Sequence, residues 1–190
     1  MSRPREFEPE EALDRGMKLL WARGYEATSL DHLLAAMKLS KSSFYETFGS
    51  KHDLLIASLK RYIETVLGQL ARDLEIGSAR NAIVRSFERM VLRDGTAQNG
   101  CFVQNCAIEL AQRDPEARQI VSEGLQRLED GYHRAVLRGQ EGGEFDRDRD
   151  ARVIARFLLT TLNGLQVLAR AGFDRKELKR IVNLSLKLLG

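Results

Sequence analysis

Proline is scarce in this chain of 190 residues, and its three prolines lie at positions 4, 9 and 115. Because proline interrupts the interior of a helix, its scarcity leaves almost the whole chain free to form helices. Apolar residues recur every three to four positions, as in Leu30, Leu33, Leu34 and Met37, and no run alternates between apolar and polar residues as half-buried strands do. The sequence therefore predicts an all-α fold of about nine helices.

Several classes of protein are excluded by what the sequence lacks. Two cysteines are too few for a disulfide framework and fit a reducing compartment, so we expect a cytoplasmic protein. No stretch reaches about 18 uncharged apolar residues, so no membrane span is expected. The histidines at positions 32, 52 and 133 are scattered, and the motifs of hydrolases, phosphate-binding loops and zinc sites are missing. We expect no catalytic residues, no metal site and no cofactor.

Residues that favour helix starts and stops divide the chain. Thr28 with Asp31, and Ser50 with Asp53, resemble capping boxes, and Asp114 before a proline is typical of a helix start. Glycines mark the breaks between these segments. The predicted helices span about residues 9–23, 29–37, 40–47, 51–74, 79–93, 99–112, 115–140, 149–170 and 174–189.

The two short predicted helices at 29–37 and 40–47 carry the functional signal. Each is too short to be stable alone, so both must pack against the helix at 9–23. In the second, Phe44 and Phe48 share one face, and the opposite face carries serines and Glu46. An anchored short helix with a small polar face suits insertion into the major groove of DNA. An ordinary helical hairpin can show the same pattern, so the pattern indicates DNA binding without establishing it.

Two segments resemble the DNA-binding domain of the tetracycline-repressor (TetR) family. They read Gly-Tyr-Glu-Ala-Thr-Ser-Leu over 24–30 and Ser-Lys-Ser-Ser-Phe-Tyr-Glu-Thr-Phe-Gly-Ser-Lys over 40–51. The resemblance implies a dimeric, all-helical transcription regulator, most often a repressor released from its operator by a small-molecule effector. It implies an N-terminal three-helix helix-turn-helix domain over residues 1–50, and a larger helical ligand-binding and dimerisation domain over residues 51–190.

The same resemblance implies which residues contact double-stranded DNA. Carried over by position, the phosphate contacts fall on Tyr45 and Lys51, and the residues nearest the bases are Ser42 and Ser43. The complete set of DNA-binding candidates is Thr28, Ser40, Lys41, Ser42, Ser43, Tyr45 and Lys51.

Two departures from the family pattern bear on DNA binding. The turn between the short helices is Met37-Lys38-Leu39, without the glycine that is common in the family. Glu46 follows the tyrosine, and phosphates would repel it unless it accepts a hydrogen bond from a cytosine amino group or faces away. Both departures leave an alternative, a helical ligand-binding protein that has lost DNA binding.

The effector pocket is expected among the helices between about residues 79 and 170. Its candidate lining residues are Phe87, Met90, Cys101, Asn105, Gln126 and Asn163. Cys101 lies near a predicted helix N-terminus, a position that can lower the pKa of a thiol. This leaves a second alternative, a thiol-based repressor that responds to electrophiles or oxidants through Cys101, beside the interpretation of Cys101 as an unreactive residue that fills a gap.

The last two predicted helices are apolar around nearly their whole circumference. A helix that is apolar all round is buried all round, which in a chain of this size predicts a homodimer through about residues 150–189. Burial under the helix at 115–140 is the alternative. A homodimer places two recognition helices on a near-palindromic operator.

Overall fold

The computed structural model describes residues 7–92 and 99–190. The helices in these two ranges are α1 (Pro9–Arg23), α2 (Leu30–Met37), α3 (Lys41–Phe48), α4 (Lys51–Tyr62), α5 (Gly68–Asp73), α6 (Ala79–Phe87), α7 (Phe102–Leu110), α8 (Pro115–Glu141), α9 (Ala151–Arg170) and α10 (Arg175–Lys187). A π-helical turn, Ile63–Leu67, joins α4 to α5, and a second, Glu88–Leu92, extends α6.

The observed helices confirm the all-α prediction. Counted with α4 and α5 as one continuous rod, they are nine in the two described ranges, and their ends differ from the predicted ones by three residues at most. Residue 93, the last residue of the helix predicted at 79–93, lies outside the described residues. No helix in the described part of the chain is long and apolar enough to cross a lipid bilayer.

Two predicted helix starts are confirmed and one is wrong. Ser50 and Asp114 accept hydrogen bonds from the backbone N–H groups at the starts of α4 and α8, as expected. The capping box expected at Thr28 lies one residue later, because Ser29 accepts from the His32 N–H and His32 Nδ1 accepts from the Ser29 N–H, both at 3.2 Å. Thr28 is buried, and its hydroxyl donates to the Gly24 carbonyl at 2.6 Å.

Helices α1 to α3 form a three-helix unit, Pro9–Phe48, which packs on α4. A Cβ added at Gly16 of α1 would lie 3.1 Å from Met37 Sδ and 3.3 Å from Leu54 Cδ2, so α1 approaches α2 and α4 closely. Phe44 of α3 has no exposed surface. The packing therefore supplies the stability that the short helices lack on their own.

The remaining helices, Lys51–Lys187, form the helical body around α8. Glycines of α8 allow the α4–α5 rod to approach closely, since a Cβ at Gly124 would lie 2.7 Å from Ile63 Cδ1 and one at Gly131 would lie 3.3 Å from Ala71 Cβ. Helix α9 packs along α8, and α10 packs on α9. The α4–α5 rod thus contacts the three-helix unit at one end and α8 along its length.

Candidate nucleic-acid interface

Helix α3 is anchored by one face and open on the other. Phe44 is completely buried and contacts the Phe48 ring at a centroid distance of 5.8 Å. Lys41, Ser42 and Glu46 are exposed, and 47% of the Tyr45 surface is exposed. The helix therefore presents a short polar face on a fixed apolar base, the arrangement that suits insertion into a major groove.

The start of α3 is a cluster of hydroxyl groups. Ser40 Oγ accepts a hydrogen bond from the Ser43 N–H at 3.1 Å and caps the helix. The Ser42 and Ser43 hydroxyl oxygens lie 3.0 and 2.8 Å from Ser40 Oγ. Hydroxyl groups both donate and accept, so this cluster can contact phosphate oxygens or base edges.

The turn between α2 and α3 keeps the geometry of a glycine turn without glycine. Lys38 adopts the left-handed conformation, with φ 57° and ψ 45°. The Lys38 N–H donates to the Ala35 carbonyl at 3.4 Å, and the Leu39 N–H donates to the Leu34 carbonyl at 3.1 Å. This pair of bonds is the Schellman arrangement that usually has glycine at the left-handed position. One of the two departures that favoured loss of DNA binding is thereby removed.

Lys51 is the first residue of α4 and lies three residues after the end of α3. Its Nζ lies 4.2 Å from the centre of the Tyr25 ring, in the turn between α1 and α2. Burial raises the pKa of the Tyr25 phenol, and the neighbouring carboxylates of Glu26 and Asp114 raise it further. The ring therefore stays neutral and can hold the ammonium group through a cation–π contact.

Thr28 differs from the other six DNA-binding candidates. It is 0% exposed, and its hydroxyl bonds within the turn, so the structure does not support direct contact with DNA. Ser29 and His32, which sequence reasoning missed, are exposed at the start of α2. The sequence does indicate a helix cap at this place, because both serine and threonine cap helices. It does not show which of Thr28 and Ser29 is the cap, since the two differ here in burial.

The six ligand-binding candidates have different surroundings in the helical body. Phe87 is completely buried beside Tyr132, with ring centroids 6.3 Å apart, and Met90 is mostly buried in the π-turn after α6. The Asn163 carbonyl accepts from Gln104 Nε2 at 3.1 Å. Gln126 is exposed on α8 and bonds to Asp130 at 3.3 Å, so it faces solvent rather than the centre of the body.

Asn105 and Cys101 lie on or next to α7. Asn105 lines a cavity of about 240 Å³ between α1, α7 and the end of α9, together with Trp21, Glu109 and Arg170. Cys101 is buried, and burial raises the pKa of its thiol, although hydrogen bonds from nearby backbone N–H groups and the Tyr62 hydroxyl oppose the shift. A raised pKa lowers the thiolate fraction, so the structure does not favour the thiol-sensor alternative.

Helices α9 and α10 leave apolar side chains uncovered. Leu158, Leu162 and Leu165 are buried in the body, whereas Val153 is 65% exposed and Phe157 is 38% exposed. A groove of about 440 Å³ runs between the helices beside these exposed residues, with mainly apolar walls. Burial within one chain, the alternative to a dimer, therefore covers only one side of α9.

The fold and the exposed face of α3 define a helix-turn-helix DNA-binding protein with a helical body. A family model described as "Bacterial regulatory proteins, tetR family" matches residues 12–58, and one described as "Tetracyclin repressor-like, C-terminal domain" matches residues 77–184. The chain belongs to the TetR family of transcriptional regulators. This confirms the resemblance, and with it the expectation that the protein regulates transcription rather than catalysing a reaction.

Relatives and solved structures agree with this assignment. The uncharacterized HTH-type transcriptional regulator YezE of Bacillus subtilis (strain 168) is 33% identical over 193 residues, covering 100% of both chains. The HTH-type transcriptional repressor ComR of Escherichia coli (strain K12) is 28% identical, covering 98% of this chain and 90% of ComR. A cysteine variant of the TetR family regulator CifR, solved with 26-bp operator DNA, superposes with a TM-score of 0.88 at 29% identity, covering 99% of this chain and 100% of that one.

Proposed function

We propose that the protein is a homodimeric repressor that binds a near-palindromic operator and releases it when a small-molecule effector binds the helical body. In this proposal residues 1–50 read DNA, and residues 51–190 bind the effector and the second protomer. The observation that carries it is the polar face of α3, which is exposed while Phe44 fixes the opposite face in the core.

The proposed DNA contacts follow from exposure and charge. Lys41, which is exposed, and Lys51, which is half-buried, supply cations at the starts of α3 and α4, and Tyr45, 47% exposed, supplies a phenol on α3. These groups suit phosphates, because phosphate oxygens accept hydrogen bonds and carry negative charge. Ser42 and Ser43 are proposed to lie nearest the bases, and Glu46 lies one helical turn after Ser42 on the same open face.

The proposed dimer surface is the uncovered side of α9 and α10. Val153, Phe157 and Leu184 expose 65%, 38% and 57% of their surfaces in the single chain. Contiguous exposed apolar residues on two adjacent helices are typical of a subunit interface, and a second copy would bury them in a four-helix arrangement. Two-fold symmetry then matches the two half-sites of a near-palindromic operator.

Effector release requires two arrangements of the dimer with different affinities for DNA. An effector that binds the body of one arrangement better shifts the population toward it. The α4–α5 rod contacts both the three-helix unit and α8, so it can transmit such a shift. By linkage, an effector that weakens DNA binding is itself bound more weakly by the DNA complex.

The decisive experiment is fluorescence anisotropy with the DNA upstream of the protein's own gene and a scrambled control, at two salt concentrations. A preference of about a thousandfold or more is the scale of specific regulators. Lys41→Ala should weaken binding to both DNAs, and Arg127→Ala, which removes an exposed cation on α8 outside the proposed dimer surface, should not. Equal, weak binding of the wild type to both fragments would contradict a self-regulating repressor.

Dimerisation is tested separately by sedimentation. Phe157→Glu places a charge in the proposed interface and should give a monomer, because an unpaired buried charge is strongly unfavourable. Ile76→Glu is the matched control, since Ile76 is 63% exposed in the turn between α5 and α6. A Phe157→Glu protein that remains a dimer would place the interface elsewhere.

A further inference from the structure

A carboxylate of the helical body binds the backbone of the three-helix unit. Glu109 of α7 accepts a hydrogen bond from the Tyr25 N–H through Oε2 at 3.1 Å, and from the Glu26 N–H through Oε1 at 2.8 Å. Gly24 ends α1 beside it with φ 85°, and a Cβ at Gly24 would lie only 3.1 Å from Glu109 Oε2. The α1–α2 turn therefore closes directly on this carboxylate.

The turn that Glu109 holds leads straight into α2. Thr28 is fixed in the same turn through its bond to the Gly24 carbonyl, and Ser29 then caps α2. Trp21, near the end of α1, donates from Nε1 to the Gly100 carbonyl at 3.1 Å, just before α7. The end of α1 and the turn after it are therefore joined to α7 through Glu109, and to Gly100, the residue before the N-cap of α7, through Trp21.

Helix α7 is also joined to α9. Asn105, one helical turn before Glu109, accepts from Arg170 Nη1 at 2.8 Å. Gln104 donates from Nε2 to the Asn163 carbonyl at 3.1 Å. Helix α7 is thus a short strut between α9, which carries the proposed dimer surface, and the turn that precedes α2.

We propose that Glu109 is a positioning residue that fixes the three-helix unit relative to the helical body, and so sets the separation of the two recognition helices in the dimer. The proposal about operator spacing rests on the DNA-binding function proposed above. Hydrogen bonds from N–H groups to a carboxylate are stronger than neutral ones, and the two bonds on adjacent residues also fix the direction of the turn.

The chemistry of this contact requires a carboxylate of this length. Glutamine offers one carbonyl oxygen, and its amide group would point a donor at the second N–H, so Glu109→Gln keeps at most one of the two bonds. Glu109→Ala removes both. The cavity of about 240 Å³ beside Glu109 opens this region to water, so the released N–H groups are hydrated rather than buried without partners. We therefore expect loss of position rather than unfolding.

The position is measured in the full-length protein by pulsed electron resonance between two spin labels. Ala35→Cys on α2 and Ser122→Cys on α8 are both exposed sites, and Cys101 and Cys106 are buried. Dilution with unlabelled protein isolates the distance within one chain. Glu141→Gln, an exposed carboxylate at the end of α8, is the matched control.

We expect Glu109→Ala to give a distance distribution about twofold wider than the wild type, as for a released hinge. Glu109→Gln should lie between them, and Glu141→Gln should match the wild type, all at nearly unchanged melting temperatures. A Glu109→Ala distribution that superposes on that of the wild type overturns the proposal.

Operators with the half-site spacing altered by one or two base pairs test the consequence for DNA. The wild type should discriminate between the native and altered spacings by about tenfold or more, and Glu109→Ala by about threefold or less. Equal discrimination by both proteins overturns this part of the proposal. If the wild type fails to prefer its own upstream DNA, the proposed function fails, and the label distances still decide the role of Glu109.

Discussion

Lys51 Nζ lies 4.2 Å from the centre of the Tyr25 ring, so the first residue of α4 is held by the turn between α1 and α2. The same turn is bound by Glu109 through the Tyr25 and Glu26 N–H groups. A lysine that is already ordered loses less side-chain freedom when it contacts a phosphate. Through the α1–α2 turn, Glu109 of the helical body therefore influences the position of the Lys51 ammonium group, which is proposed to contact a phosphate of DNA.

Substitutions of Lys51 and Tyr25 distinguish the effect of the lysine charge on DNA binding from the effect of the lysine position. Lys51→Gln should weaken binding to specific and scrambled DNA alike, and should reduce the slope of log K against log salt by about 0.9, because one phosphate contact is lost. Tyr25→Leu keeps the charge and should leave the slope unchanged while it weakens binding by about 0.5–1 kcal/mol. Anisotropy titrations at four salt concentrations give both quantities. An unchanged slope for Lys51→Gln contradicts the phosphate contact, and Arg127→Gln, at an exposed site on α8, is the control.

Lys38 occupies a backbone conformation that glycine adopts more readily. Its φ of 57° places it in the left-handed region, which costs a residue with a Cβ about 1 kcal/mol. Lys38→Gly should therefore raise the free energy of unfolding by about 0.5–1 kcal/mol, measured by urea denaturation. Lys60→Gly, within α4, should lower it by about 1 kcal/mol. A Lys38→Gly protein no more stable than the wild type would contradict this account of the turn.

Glu46 is a carboxylate without a hydrogen bond or ion pair to any described residue, on the open face of α3. Phosphates repel it, so Glu46→Gln should bind scrambled DNA several-fold more tightly. If Glu46 accepts a hydrogen bond from a cytosine amino group, the same variant should lose about 1–3 kcal/mol of discrimination at one position in each half-site. Selection from randomised DNA with both proteins measures this. Identical preferences would show that Glu46 faces away from the bases.

The sequence predicts the elements of this fold better than the contacts between them. Helices such as α9 are predictable because their periodic apolar pattern is local, and the cap at Ser50 because its partner lies three residues away. The choice of Ser29 over Thr28 as the cap depends on which side chain the core buries. Glu109 lies more than 80 residues from its partners in the α1–α2 turn. The residues that neighbour Glu109 in the sequence give no indication of this contact.

The cysteines should be slow to react in the native protein. Burial raises the pKa of the Cys101 thiol and raises that of Cys106 to about 12. Since the thiolate is the nucleophile, reaction with an aromatic disulfide reagent at pH 7.5 should follow the rate of unfolding rather than reagent concentration. Cys101→Ser should leave DNA affinity unchanged. Rapid modification of native Cys101 that releases DNA would instead support the thiol-sensor alternative.

The contact between His52 and Asp114 predicts the stability of the body in acid. His52 Nε2 lies 2.8 Å from Asp114 Oδ2, which joins the start of α4 to the N-cap of α8. Burial raises the pKa of Asp114, but hydrogen bonds from the Ala117 N–H and from His52 outweigh this, so its pKa falls below the usual 3.8. A carboxyl whose pKa is lower in the folded state stabilises the fold above pH 3.8, and the effect is lost as pH falls through the folded pKa.

Asp114→Asn isolates this effect, because asparagine caps a helix as well as aspartate but carries no charge. The variant should be less stable than the wild type at pH 6 by about 1 kcal/mol, and the difference should shrink as the pH falls below 3.8. Urea denaturation between pH 3 and pH 7 measures this, with Glu141→Gln as a control that leaves the cap untouched. A difference that stays constant down to pH 3 would mean that the Asp114 carboxylate contributes no charge-dependent stability.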